Sequence, residues 1–248
     1  MNISGWPFSV LVDGDPESGG GAIVTVDLAA PIDDEQAARM RYAFESFAVL
    51  AAAGGLGGDR IAPELSTASL TLPLPTPSGA RSQWRFDRIA VDCRGLTVLF
   101  DMLALLAGNI RAIDVRIAGA GPRAAFGPHD LPPVWPRIPF AFAEDRTSKS
   151  VELVVEFAAV VAPADVETVT DAVGIWLDCG SVQGYRDWNQ APGRSFLVPQ
   201  DDPRFVVRHN ALTANLVDSG AHEGAYDILI NVLIGLHAKL PIIQVEMV

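Results

Sequence analysis

Val24, Val26 and Leu28 alternate with Thr25 and Asp27, the period of two expected of a strand with one buried face. The same alternation returns at Leu153, Val155 and Phe157, each 129 residues after its counterpart. A Pro-Phe pair, Pro7-Phe8 and then Pro139-Phe140, precedes each alternating segment and opens a shorter one at 8–13 and 140–143. After each, the apolar spacing changes to helical. In the first half Met40, Phe44, Phe47, Ala48 and Ala51 fall on one stripe, with Asp33 and Gln36 at capping-box spacing and Gly54-Gly55 as the stop. In the second half Val166, Val169, Val173, Trp176 and Leu177 form the stripe, and Pro163 suits the first helical position.

Further along the first half, 70–74 and 84–91 read as a hairpin around the turn 76–79, followed by a helix over 96–107 and a strand over 113–117. The second half repeats the order with strands at 196–198 and 205–212, a helix over 225–240 and a strand over 242–247. The expected fold is therefore α+β: an internally duplicated two-layer sandwich of two ferredoxin-like-related ββαββαβ repeats, with mainly antiparallel sheets and helices on one face. The proline-rich stretch 119–137 reads as a stiff crossover between repeats at 1–118 and 138–248. Thr25, Asp27, Asp114 and Arg116, with Glu152, Glu156, Gln244 and Glu246, would leave the other sheet faces wet.

The second helix of each half has almost no polar face. Residues 96–107 hold one charge, Asp101, and 228–236 none, so both helices must be covered nearly all round, by the other half or by another copy in a homo-oligomer. Asp101 and Asp227 are expected in the first turns, where a carboxylate interacts favourably with the helix dipole.

Composition narrows the partners. The chain has 248 residues, 49% hydrophobic and 19% charged, with a formal net charge of −12, which argues against nucleic acid and anionic lipid. The longest apolar stretch is interrupted by Asn231, His237 and Lys239, so no membrane span is expected. The first residues lack a basic, apolar leader, and Cys93 and Cys179 have no metal-ligand companions; a cytoplasmic protein with reduced thiols fits.

No phosphate loop, dinucleotide fingerprint or nucleophile elbow occurs, so no cofactor is expected, and His222-Glu223 lacks metal-ligand spacing. The halves differ most in two segments of the second. Tyr185-Arg186-Asp187-Trp188 supplies the residue types that dominate recognition surfaces, and 215–224, containing His222 and Glu223, reads as an insertion. A binding module for a small molecule or a protein is the primary expectation, with Tyr185, Arg186, Trp188, His222 and Glu223 as ligand contacts. One alternative is an enzyme using Arg186, Asp187, His209, His222 and Glu223 around a pocket. Another is an acidic inhibitor or immunity-type protein that neutralises a basic partner.

Overall fold

Strand alternation and helical stripes become two sheets and their helices. In the computed structural model, residues 2–3, 5–14, 22–56, 69–71, 81–87, 94–106, 108–117, 127–134, 137–145, 149–190 and 194–248 are described. The first part of the chain forms β1 (Asn2–Ile3), β2 (Ser9–Asp13), β3 (Ala22–Leu28), α1 (Asp34–Ala52), β4 (Ser69–Thr71), β5 (Arg81–Asp87), α2 (Gly95–Leu103) and β6 (Ile110–Ile117). The second forms β7 (Ala141–Glu144), β8 (Ser150–Phe157), α3 (Val166–Ser181), β9 (Leu197–Pro199), β10 (Val206–Arg208), β11 (Ala211–Asp218), α4 (Gly224–His237) and β12 (Ile242–Met247). The fold is thus α+β, with four α-helices and two mixed sheets among the described residues.

The sheets run β1-β2-β6-β3-β5-β4 and β10-β11-β8-β12-β7, with β9 also on β11. In each, the short leading strand lies parallel to the last strand, β2 on β6 and β7 on β12, while the other pairings are antiparallel. The leading Pro-Phe strand therefore adds to the free side of the last strand and leaves β3 and β8 in the sheet interiors. Val24, Val26, Leu28, Leu153, Val155 and Phe157 are all buried, and the alternate residues Thr25, Asp27, Glu152 and Glu156 are not.

Helix α1 starts on the expected box: the Gln36 N–H donates to Asp33 Oδ1 at 2.8 Å, and the Asp33 N–H to Gln36 Oε1 at 3.1 Å. It ends where Gly54 takes φ +83°. Helices α1 and α3 touch, as do α1 with α2 and α3 with α4, so helices of the two halves pack on one another. Gly235 of α4 also lies close to the end of α1: a Cβ there would be 2.8 Å from the carbonyl oxygen of Ala53, the residue that follows the helix. Every residue of α2 is buried within this single chain, and α4 is buried except along Asp227, Ile234, Gly235 and His237. Of the two covers expected for these helices, the chain itself supplies one for nearly all of both, so their burial does not require a second copy.

Several local expectations change. Helix α3 starts at Val166, three residues after Pro163, because the Asp165 N–H donates to the Ala162 carbonyl at 2.8 Å and closes a turn. Pro163 is the second residue of that turn, a position that wants the same φ as a first helical residue. The strand expected over 205–212 is a hairpin: β10 and β11 pair Arg208 with Ala211 around His209, whose φ is +52°. Consequently Asn215–Asp218 belongs to β11 and only 219–223 is loop, so the insertion is shorter than the sequence reading made it. Asp227 does lie in the first turn of α4, but Asp101 is the seventh residue of α2, beyond the reach of the N-terminal dipole. The turns expected at 15–21 and 76–79, Cys93, and crossover residues 119–126 and 135–136 lie outside the described residues.

Candidate functional site

The two distinctive segments of the second half meet. The turn after α3 folds back on α2: Gly184 sits so close that a Cβ there would be 2.9 Å from the Cys179 carbonyl oxygen and 3.1 Å from Met102 Cγ. From this turn the chain runs out through Tyr185 and Arg186, where the His222 N–H donates to the Tyr185 carbonyl at 2.9 Å and Arg186 pairs antiparallel with Ala221. Segments 35 residues apart in sequence at the Arg186–Ala221 pair thus form one short ribbon above the N-terminal end of α4.

Beneath it lies Asp101. Its Oδ1 accepts from the indole N–H of Trp6 at 2.8 Å and from that of Trp188 at 3.0 Å. Its Oδ2 is buried and has no hydrogen-bond partner among the described residues. Burial pushes this carboxyl well above the usual carboxylate range; the two indole donors, then the charge and backbone N–H of Arg186, oppose the shift without cancelling it. That N–H falls short of hydrogen-bonding geometry. Trp6, which is 7% exposed, is locked edge-on to Phe100 at 5.2 Å. Trp188 is only half-buried, and the Arg186 guanidinium carbon lies 3.9 Å from its ring centroid, a cation–π stack at the surface.

The predicted residues divide by role. Tyr185 is 1% exposed, stacks on Trp176 and donates its hydroxyl hydrogen to the Trp176 carbonyl at 3.0 Å, so it supports the ribbon from inside and does not face solvent. His222 accepts the Gly224 N–H on Nδ1 at 3.1 Å and so caps α4, with its ring 6.3 Å from that of His129 in the crossover. Glu223 is exposed beside it. Asp187 receives the Asn189 N–H at 2.9 Å and the Gln190 side-chain amide at 3.4 Å. Partial desolvation acts to raise its carboxyl, but these donors and the nearby His222 hold it below the usual range. His209 does not join: it turns the hairpin at the start of the eight-residue β11, and the ribbon follows the other end, about 25 Å away at roughly 3.4 Å per residue. The alternative grouping with His209 is corrected accordingly.

Trp6, Asp101 and His129 escaped the sequence reading of the site. A lone acid in the middle of an otherwise apolar helix was the available signal for Asp101; nothing local pointed to Trp6, 95 residues away. Among the described residues no group of three or more His, Cys, Asp or Glu could hold a metal ion, and no helix is long and apolar enough to cross a membrane.

No known protein-family model matches the chain, and no curated protein matches it. Among solved structures, a conserved protein from Enterococcus faecalis V583 aligns over 96% of this chain and 79% of its own length, at 9% identity and a TM-score of 0.21. The periplasmic protease PqqL from Escherichia coli aligns over 94% of this chain and 35% of its own, at 10% identity and the same TM-score of 0.21. Likeness at that level carries no argument about fold or activity.

Proposed function

We propose that this chain is a binding module whose recognition surface is the ribbon of Arg186, Trp188, His222 and Glu223, with His129 beside it, taking a small molecule or a protein segment. The observation that carries this is the half-exposed Trp188 with Arg186 stacked on it, held from below by a buried carboxyl. Arg and Trp on a rigid support are the residue types that dominate binding energy at recognition surfaces. Binding is favoured over catalysis because the reactive atoms are engaged in structure: Asp187 is bound to its own turn, and Nδ1 of His222 caps α4.

The two halves are, in this reading, duplicated ferredoxin-like repeats at 1–118 and 138–248 joined by the crossover 119–137. The shared place of the parallel leading strand and the constant 129-residue offset support it. The chain is assigned to the cytoplasm, where Cys179, buried and with its thiol pushed up by burial, stays reduced.

The test is a thermal-shift screen of small carboxylates, phosphate esters and cationic peptides, followed by titration calorimetry on Arg186→Ala. A ligand that stabilises the parent should lose about tenfold or more in affinity in the variant, as expected when a recognition anchor is removed, with little change in the unliganded melting temperature. A ligand bound equally by both proteins overturns the assignment of the surface.

A further inference from the structure

We propose that this surface takes a free α-amino acid, whose carboxylate pairs with the Arg186 guanidinium and whose ammonium group donates to Oδ2 of Asp101. The inference rests on the binding reading above and names the ligand class of the same surface.

Asp101 presents half a carboxyl that the fold does not use. Oδ1 takes the indole N–H groups of Trp6 and Trp188, and Oδ2 is buried with no hydrogen-bond partner among the described residues. Native folds rarely leave such an atom bare, because a buried polar group without a partner costs stability. In the second half the buried Asn231 amide does find protein partners, the Gly55 and Pro133 carbonyls. An asparagine at 101 would hold both indoles on its oxygen equally well, but would turn donor hydrogens to the place where Oδ2 offers an acceptor. The carboxyl is therefore suited to receive one more donor.

That donor has a way in. An indole N–H points along the plane of its ring, so Asp101 lies off the edge of Trp188, with Oδ1 3.0 Å from the nitrogen. The Arg186 guanidinium carbon stands over the face of the same ring, 3.9 Å from its centroid. A positive group and a carboxyl are thus separated by little more than one indole. Trp6 is locked against Phe100, whereas Arg186 and Trp188 are only half-buried, so a ligand enters on the Trp188 side. The support is rigid, since the turn that leads into Arg186 is pressed on α2 at Gly184.

Charge selects the ligand. A plain anion suits Arg186 but meets Asp130, Asp187 and Glu223 around it, and a plain cation suits those acids but is opposed by Arg186. A short zwitterion satisfies both. Burial holds the Asp101 carboxyl of the unliganded protein toward its neutral form, so an arriving ammonium group displaces its proton. Both indole N–H groups and the Arg186 charge favour the ionised form, and the two indole hydrogen bonds therefore tighten when the ligand is bound. Cys179 and Tyr185 are pushed up by burial and stay neutral, which leaves His129 and His222 as the neighbours whose titration must be told apart from that of Asp101.

The experiment screens the common α-amino acids by thermal shift and takes the strongest to titration calorimetry, beside the matching acid without its amine and the matching amine without its carboxylate. Tight binding is expected of the amino acid alone. From about pH 5 to about pH 8, where the amino acid itself does not titrate, its binding heat should vary with the ionisation enthalpy of the buffer in the sense of proton release. The release should persist in His129→Gln and His222→Gln. Asp101→Asn should lose it, together with about thirtyfold or more in affinity, as expected when one partner of a buried ion pair is removed. Trp6→Phe removes a donor that favours the ionised carboxyl from the side away from the ligand. It should weaken the amino acid several-fold and leave the weak binding of the amine-free acid unchanged, and this arm holds even if Asp101→Asn fails to fold. The proposal is overturned if no amino acid binds, if proton release survives in Asp101→Asn, or if Trp6→Phe binds the amino acid like the parent. An amine-free acid that binds as tightly as the amino acid and still needs Arg186 would also overturn it, while leaving the recognition surface standing. An amino acid bound equally by the parent and by Arg186→Ala would remove the surface reading itself.

Discussion

Helices α2 and α4 are both buried at the heart of the molecule, and each places one polar side chain near its middle, yet the two solve the problem of a buried polar group differently. Asn231 faces two carbonyl oxygens, Gly55 O from the end of α1 and Pro133 O from the crossover, and supplies the donor they need without a charge. Asp101 faces two donors, Trp6 and Trp188, and leaves half of its carboxyl without a partner among the described residues. Both fasten one half of the chain to another segment through a single side chain. The amide makes a fixed rivet. The carboxyl makes a joint whose burial opposes its own ionisation, and that joint lies directly under the surface formed by Arg186, Trp188 and His222.

The comparison is broken most severely by charging the apolar part of either helix. Leu103→Asp in α2 and Leu229→Asp in α4, both at fully buried positions, should each cost about 3–5 kcal/mol in urea unfolding, the penalty of an uncompensated buried charge. A variant that unfolds like the parent would show that its helix is not the covered element described here. Exchanging the polar types gives the next effect. Asn231→Asp deprives the buried Gly55 carbonyl and the more exposed Pro133 carbonyl of their donor and should cost about 1–3 kcal/mol at neutral pH, the penalty of a stranded buried acceptor. Asp101→Asn keeps the acceptor for both indoles, so its stability at acidic pH should stay within about 1 kcal/mol of the parent and then exceed the parent's as pH rises. Equal losses from the two exchanges would erase the distinction between rivet and joint. The smallest effect belongs to Trp188→Phe, which removes one hydrogen bond while keeping the ring under Arg186 and should cost about 1–2 kcal/mol in the same assay. An unchanged midpoint there would mean that the 3.0 Å contact contributes nothing to joining the halves.

Local pattern carried far in this chain wherever one face of an element is buried. The alternation at Val24, Val26 and Leu28, and at Leu153, Val155 and Phe157, marked two interior strands because a residue slip would turn every apolar side chain to the wrong face. The box at Asp33 and Gln36 marked the start of α1 because both hydrogen bonds are local. Pro163 misled for an equally local reason, since a turn and a helix start ask the same φ of proline. The hairpin at His209 was missed because a histidine gives no warning that it will take a positive φ. Trp188 was expected as an anchor free of the core, and its ring does reach the surface, but its N–H is committed to Asp101.

The sequence by itself determined the alternation of strands and helices, the burial of the two apolar helices and the convergence of chemistry-bearing residue types on 185–188 and 222–223, because these follow from periodicity and composition within short windows. Only the tertiary structure decided that the leading strands pair parallel with the last ones, that the helices of the halves cover each other within one chain, and that Asp101 meets indoles 95 residues before it and 87 after it. Those are contacts between distant segments, and the free energy that selects them comes from burying whole faces at once, a quantity no local window contains.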